Sequence, residues 1–217
     1  MKRPYFITGI GTDVGKTLVS AVLAEALEAD YWKPVQAGLS DGTDAATIAS
    51  LISNTQTRVR EELYRLQTPA SPHIAARIDH VDIDPGKIKA AADQLLQDAG
   101  ERPLLIEGAG GLLVPFSDTL FVADLIRLLN ARVLLVSRNY LGSINHSLLT
   151  AAYCKNNGLD VAGWLFTDDY MNYENEIVRW SGYPSLGSIP RLAQVTKETI
   201  REQALALKNR LVRTLAQ

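Results

Sequence analysis

A glycine-rich loop between an apolar run and a helical repeat constrains this chain more than any other feature. The stretch reads Tyr5-Phe6-Ile7-Thr8-Gly9-Ile10-Gly11-Thr12-Asp13-Val14-Gly15-Lys16-Thr17, followed by Leu18-Val19-Ser20-Ala21-Val22-Leu23-Ala24. The apolar run predicts a buried strand, and the spacing after Thr17 predicts a helix ending near Ala29. Glycines allow the backbone to curl until several N–H groups point at one anion, and the helix adds the positive end of its dipole. Lys16 can reach terminal phosphates and the Thr17 hydroxyl can hold a magnesium ion. The stretch is a candidate phosphate cradle. It departs from the general pattern in one respect: the first glycine stands at Gly9, where the spacing places Ile10.

The rest of the chain supplies partners for that strand. Continuous apolar runs at Pro103–Glu107, Arg132–Ser137 and Val161–Phe166 alternate with helical patterns at Asp84–Ala99, Leu120–Leu129 and Ser143–Asn156. Asp30–Gly38 reads as a short strand ending in a loop, because proline at 34 cannot sit inside a sheet. Asp41-Gly42-Thr43 is a turn that caps a helix beginning at Asp44, and Arg58–Arg65 reads as mixed-charge helix surface. Thr68–His73 is a stiff loop, Pro184–Pro190 a last short strand and loop, and Lys197–Leu215 a C-terminal helix. The alternation predicts an α/β fold with a mainly parallel central sheet covered by helices on both faces. In such sheets ligands bind beyond the carboxyl ends of the strands, here the loops after Ile7, Val35, Ile106, Val136 and Phe166. A length of 217 residues suits one domain.

Composition removes several classes of function. A net charge of -2, with no basic run, gives no general attraction to nucleic acid or anionic lipid. No apolar segment approaches membrane-spanning length. Cys154 is the only cysteine, so an intrachain disulfide is excluded and a cytoplasmic setting is expected. The three histidines form no metal-binding pattern.

Glu107 follows apolar positions and precedes Gly108, so its carboxylate stands at a strand's carboxyl end, placed to hold a magnesium ion that bridges phosphates. Gly108-Ala109-Gly110-Gly111 leaves room for close approach of phosphate or substrate. Lys33 is a candidate second cation for transferred phosphate charge. Asp44 alone reads as a helix cap. Asp13 lies inside the cradle, where an acid makes sense facing an amine-bearing second substrate.

Taken together, several collinear segments resemble the dethiobiotin synthase family. They are Gly11–Thr17, Lys33-Pro34-Val35-Gln36-Ala37-Gly38, Ser71–Ala75, Glu107–Leu112, Leu141–His146 and Ala162-Gly163-Trp164, with a weaker match at Gly187–Pro190. The early Gly9 is typical of that family. The resemblance implies a P-loop NTPase-like three-layer fold in a homodimer. It further implies closure of a cyclic urea from 7,8-diaminononanoate, carbon dioxide and ATP with magnesium. Lys33, Lys16 and Asp13 match catalytic positions, and Thr17, Asp44 and Glu107 match metal ligands. Nucleotide positions carry over to Thr12, Asp13, Val14, Gly15, Lys16, Thr17 and Leu18, to Glu107, Gly108, Ala109 and Gly110, to Thr167 and Asp168, and to Pro190, Arg191 and Leu192. Substrate positions carry over to Ala37 and, from the partner subunit, to Gly142, Ser143, Ile144 and Asn145. Two departures stand out: Ala37 replaces a usual serine or threonine, and Thr167 replaces an asparagine that reads adenine. Residues 169–183 follow no family pattern.

The alternative is a deviant P-loop partition or positioning ATPase acting as a nucleotide-dependent dimer switch. Such proteins place a second lysine early in the cradle, and Gly9–Val14 contains none.

Overall fold

The computed structural model describes residues 2–40 and 42–215. Its centre is a seven-stranded sheet in the order β4-β2-β6-β1-β7-β8-β9. The strands are β1 (Tyr5–Gly9), β2 (Asp30–Trp32), β4 (Val59–Arg60), β6 (Leu104–Gly111), β7 (Arg132–Arg138), β8 (Val161–Thr167) and β9 (Ser185–Ile189). Every neighbouring pair is parallel, as the predicted α/β class requires. A separate two-stranded parallel sheet joins β3 (Val35–Ala37) to β5 (Tyr64–Leu66).

Strand residues alternate between two apolar layers, which is the period-2 consequence of the pleat. Ile7, Leu105 and Val136 pack on one face with helices α1 (Lys16–Leu27), α2 (Asp44–Leu51) and α8 (Lys197–Leu215). Phe6, Ile106 and Leu135 pack on the other face. That layer is completed by α3 (Pro72–Ile78), α4 (Pro85–Asp98), α5 (Val122–Leu128), α6 (Ser143–Asn156) and α7 (Glu174–Ser181). Local signals explain several boundaries. Asp84 caps α4, accepting from Gly86 N at 2.7 Å and Lys87 N at 3.3 Å, while Pro85 occupies the first turn, where its missing N–H costs nothing. Thr43 caps α2 by accepting from Ala46 N at 3.1 Å; Asp41 lies outside the described residues.

Three expectations change. Pro34 divides 30–38 into two strands of two different sheets, because the residue lacking an N–H sits where the chain leaves one ladder for the other. Arg58–Arg65 is not helical: it holds β4 and the start of β5, since pairing with β2 and β3 outweighs local helical spacing. β6 continues through its glycines to Gly111. Within 169–183 the chain forms a short 3-10 turn at Tyr170–Asn172 and then α7.

Candidate active site

The loop from Gly9 to Gly15 joins β1 to α1 at the carboxyl edge of the sheet. A Cβ at Gly9 would lie 2.5 Å from Val14 Cγ2 and 2.8 Å from Gly11 O, so the early glycine is what lets the loop close on itself. Gly15 caps α1 with φ 86°, a left-handed conformation that side chains disfavour. A Cβ there would also meet Thr167 Cγ2 at 2.9 Å.

Five charged or hydroxylic side chains, from α1, α2, β6 and the connection between β2 and β3, converge beside this loop. Thr17 Oγ1 lies 3.1 Å from Asp44 Oδ1 and 3.1 Å from Glu107 Oε1. Lys33 Nζ is ion-paired with Asp44 Oδ2, and Lys16 Nζ donates to Gly11 O at 3.1 Å. Asp44 N donates to Gln36 Oε1 at 3.2 Å, which ties the start of α2 to β3. Burial pulls the Lys16 ammonium below its ordinary value, with Glu107 opposing and Lys33 adding to the shift. Burial also pushes the Glu107 carboxyl up, against the attraction of Lys33.

The oxygen cluster suits a small hard cation. One hydroxyl proton on Thr17 can serve only one of its two carboxylate neighbours at a time. Oxygens about 3 Å apart have the spacing of adjacent ligands around an octahedral ion bound at about 2.1 Å. Among the described residues no three His, Cys, Asp or Glu side chains form a metal cluster. Two carboxylates and a hydroxyl instead suit magnesium, which usually keeps water and phosphate oxygens as its remaining ligands.

Two adjoining cavities take in most of the predicted residues. The larger, about 670 Å3, is lined by Thr12, Asp13, Gly15, Lys16, Thr17, Lys33, Ala37, Asp44, Glu107, Ala109 and Gly110. The smaller, about 220 Å3, is lined by Asp13, Gly15, Leu18, Thr167, Asp168, Pro190, Arg191 and Leu192. Val14 and Gly108 line neither. Val14 is buried, and the absent side chain of Gly108 leaves room for the Phe6 ring, whose Cε1 a Cβ would meet at 2.6 Å. Gly142, Ser143, Ile144 and Asn145 stand apart from both cavities at the start of α6, with Gly142 at φ 106°.

Some site residues escape the sequence reading. Val35, Pro69, Ala70, Ser71, Pro72 and Val114 complete the larger cavity, and Arg138 and Val195 the smaller. The proline-rich loop at 68–73 carries a signal in its stiffness. Ser20 Oγ and Tyr31 Oη donate to Glu107 Oε2 at 2.7 Å and 3.0 Å. Tyr31 lies in β2, two residues before Lys33, which follows the strand's end. The Thr167 hydroxyl is buried and donates to Val14 O at 2.9 Å, so it props the loop from below. At the rim, Arg138 Nε donates to Asp168 Oδ2 at 3.2 Å. The Asp169 N–H, with Arg138 behind it, holds the Asp168 carboxyl below its ordinary value.

Sheet order, glycine loop and the lysine-hydroxyl pair define a P-loop nucleotide-binding protein, and the AAA domain family matches residues 3–199. Two solved structures share the fold across nearly the whole chain. The MinD cell division protein of Aquifex aeolicus has a TM-score of 0.61 at 12% identity, covering 99% of this chain and 98% of that one. A ParA family ATPase from Chlorobium tepidum TLS has a TM-score of 0.55 at 14% identity, covering 100% and 95%. Sequence relatives are nearer. An ATP-dependent dethiobiotin synthetase BioD of Cytophaga hutchinsonii is 47% identical over 207 residues, 94% of this chain and 97% of its own length. Another, of Agrobacterium fabrum, is 43% identical over 204 residues, covering 93% and 92%. The chain belongs to the family of ATP-dependent dethiobiotin synthetases.

Proposed function

We propose that the larger cavity closes a cyclic urea on 7,8-diaminononanoate, as expected of an ATP-dependent ligase of biotin synthesis. One amine adds to carbon dioxide and loses a proton, giving a carbamate. A carbamate oxygen attacks the γ-phosphorus of ATP, ADP departs, and a carbamic-phosphoric anhydride results. The second amine attacks the carbamoyl carbon, loses its proton and expels phosphate, leaving dethiobiotin. The observation that carries this reading is the convergence of Lys16, Lys33, Thr17, Asp44 and Glu107 on one cavity.

The chemistry brings anions together, so the chain's work is alignment and charge neutralisation. Loop N–H groups and Lys16 hold the phosphates in line. Lys33, kept in place by Asp44, meets the transferred phosphoryl group and the carbamate. Asp13, exposed at the cavity wall, faces the diamine. Ala37 offers the substrate no hydroxyl. Thr17, Asp44 and Glu107 would hold magnesium, which supplies positive charge to the phosphate oxygens. The smaller cavity receives the nucleoside. Since Thr167 is committed to Val14, base contacts fall to Asp168, Pro190, Arg191 and Leu192.

The same proposal includes one domain, a homodimer and a cytoplasmic setting. In the dimer, Gly142 to Asn145 of the partner subunit would bind the substrate carboxylate. Free N–H groups at a helix start suit an anion. No helix among the described residues is long and apolar enough to cross a membrane.

The test is incubation with the diamine, bicarbonate, magnesium and each of several nucleoside triphosphates, followed by mass spectrometry and phosphate assay. Dethiobiotin should form, with phosphate release requiring both diamine and bicarbonate. Equal hydrolysis without diamine would favour a nucleotide switch of the partition-ATPase kind. At 12% and 14% identity, the two structural likenesses speak only to fold.

A further inference from the structure

The two carboxylate oxygens of Glu107 have different surroundings. Oε2 accepts from Ser20 Oγ at 2.7 Å and from Tyr31 Oη at 3.0 Å. Both donors are wholly buried, Ser20 one turn beyond Thr17 on α1 and Tyr31 in β2. Oε1 is the oxygen beside Thr17, whose side chain reaches the cavity. A carboxylate pinned by one oxygen from two directions cannot rotate to offer both oxygens to the same ion.

We infer that Ser20 and Tyr31 are positioning residues that make Glu107 a one-oxygen ligand and so select a small octahedral cation over calcium. Calcium takes about six to eight oxygens and readily accepts both oxygens of one carboxylate, whereas magnesium demands near-ideal octahedral geometry. The pin works through neutral donors, so it fixes direction without cancelling the charge that the ion needs. The inference rests on the proposed role of Glu107 as a cation ligand, and the experiment separates the two.

Manganese binding by electron paramagnetic resonance and calcium binding by calorimetry would be measured with ADP present. The proteins are the wild-type chain, Ser20→Ala, Tyr31→Phe, the double variant and Glu107→Gln. Loss of such supporting contacts weakens metal binding by about 10-fold or more. Manganese affinity should fall by that factor in the double variant while calcium affinity holds, so the ratio of the two falls about 10-fold. The KM for the diamine should stay unchanged, a split that general loosening would not give. Tyr31→Phe keeps the buried ring and should move the ratio in the same direction on its own. An unchanged ratio in folded Tyr31→Phe and Ser20→Ala overturns the inference. Wild-type manganese binding by Glu107→Gln overturns the ligand assignment itself.

Discussion

Two buried carboxylates on adjacent strands show how differently one sheet uses the same group. Asp30 opens β2 and Glu107 lies in β6 toward the other edge, and their side chains are 0% and 1% exposed. Asp30 is met by Arg102 Nε at 2.9 Å, by Arg60 Nη2 at 3.2 Å and by Arg58 N at 3.3 Å. Burial works to raise its carboxyl, but the hydrogen bonds from Arg102 and Arg60 win and hold it below its ordinary value. Glu107 is met instead by hydroxyls: Ser20, Tyr31 and Thr17. Burial therefore prevails there and pushes its carboxyl up. Fully neutralised, Asp30 is a structural tie between strand and loop. Under-neutralised, Glu107 is left in a state that a cation improves. A buried charge short of countercharge is costly, which makes Glu107 a candidate cation ligand.

Lys33→Ala gives the largest expected effect, because it removes the cation paired with Asp44 at the cavity. Loss of one preorganised charge-stabilising donor lowers turnover by about 10^2 to 10^3-fold. Nucleotide binding, read by calorimetry, should remain detectable; full activity would remove Lys33 from the mechanism. Glu107→Gln should cost about 100-fold or more in turnover, since a metal's share of transition-state stabilisation is several kcal/mol. Its unfolding free energy should hold or rise, because a poorly countered buried charge is gone.

Asp30→Asn should do the reverse. Breaking a buried ion pair costs about 3 kcal/mol at pH 7, with activity per folded molecule kept. Because the Asp30 carboxyl is held low, its stabilisation is present above the unfolded-state value of about 3.9 and is lost as pH falls through the lower folded value. Denaturation curves of the two proteins should therefore converge in acid. If Asp30→Asn cut turnover while leaving stability intact, the contrast between the two carboxylates would fail.

Thr167→Val gives the smallest expected effect. It strips one buried hydrogen bond from Val14 O, about 1 kcal/mol by denaturant titration, and should leave preference among nucleoside triphosphates unchanged. A marked change in that preference would return Thr167 to the base.

Much of the fold was legible because its signals are local. Strands buried on both faces read as continuous apolar runs, and Asp84-Pro85 with Gly100 marks both ends of α4 through capping chemistry that needs only near neighbours. Lys16 and Thr17 could be placed for the same reason, since they open the helix that follows the glycine loop, and Glu107 because it directly precedes the glycines of β6. Arg58–Arg65 could not be assigned correctly. Two- and three-residue strands have too little pattern of their own and exist only because β2 and β3 offer ladders to them. Asp44 taken alone reads as a cap; the family resemblance singles it out, and the docking of α2 brings it to Lys33 and Thr17.

The linear chain by itself determined an α/β fold, a phosphate cradle and the side of the sheet on which to look, because each follows from periodicity and from residues adjacent in sequence. Tertiary structure alone decided that Thr167 props the loop, that Phe6 fills the space at Gly108, and that Ser20 and Tyr31 hold Glu107. Those roles depend on strand register and on which way a buried side chain points, and both are settled only when distant segments pack together.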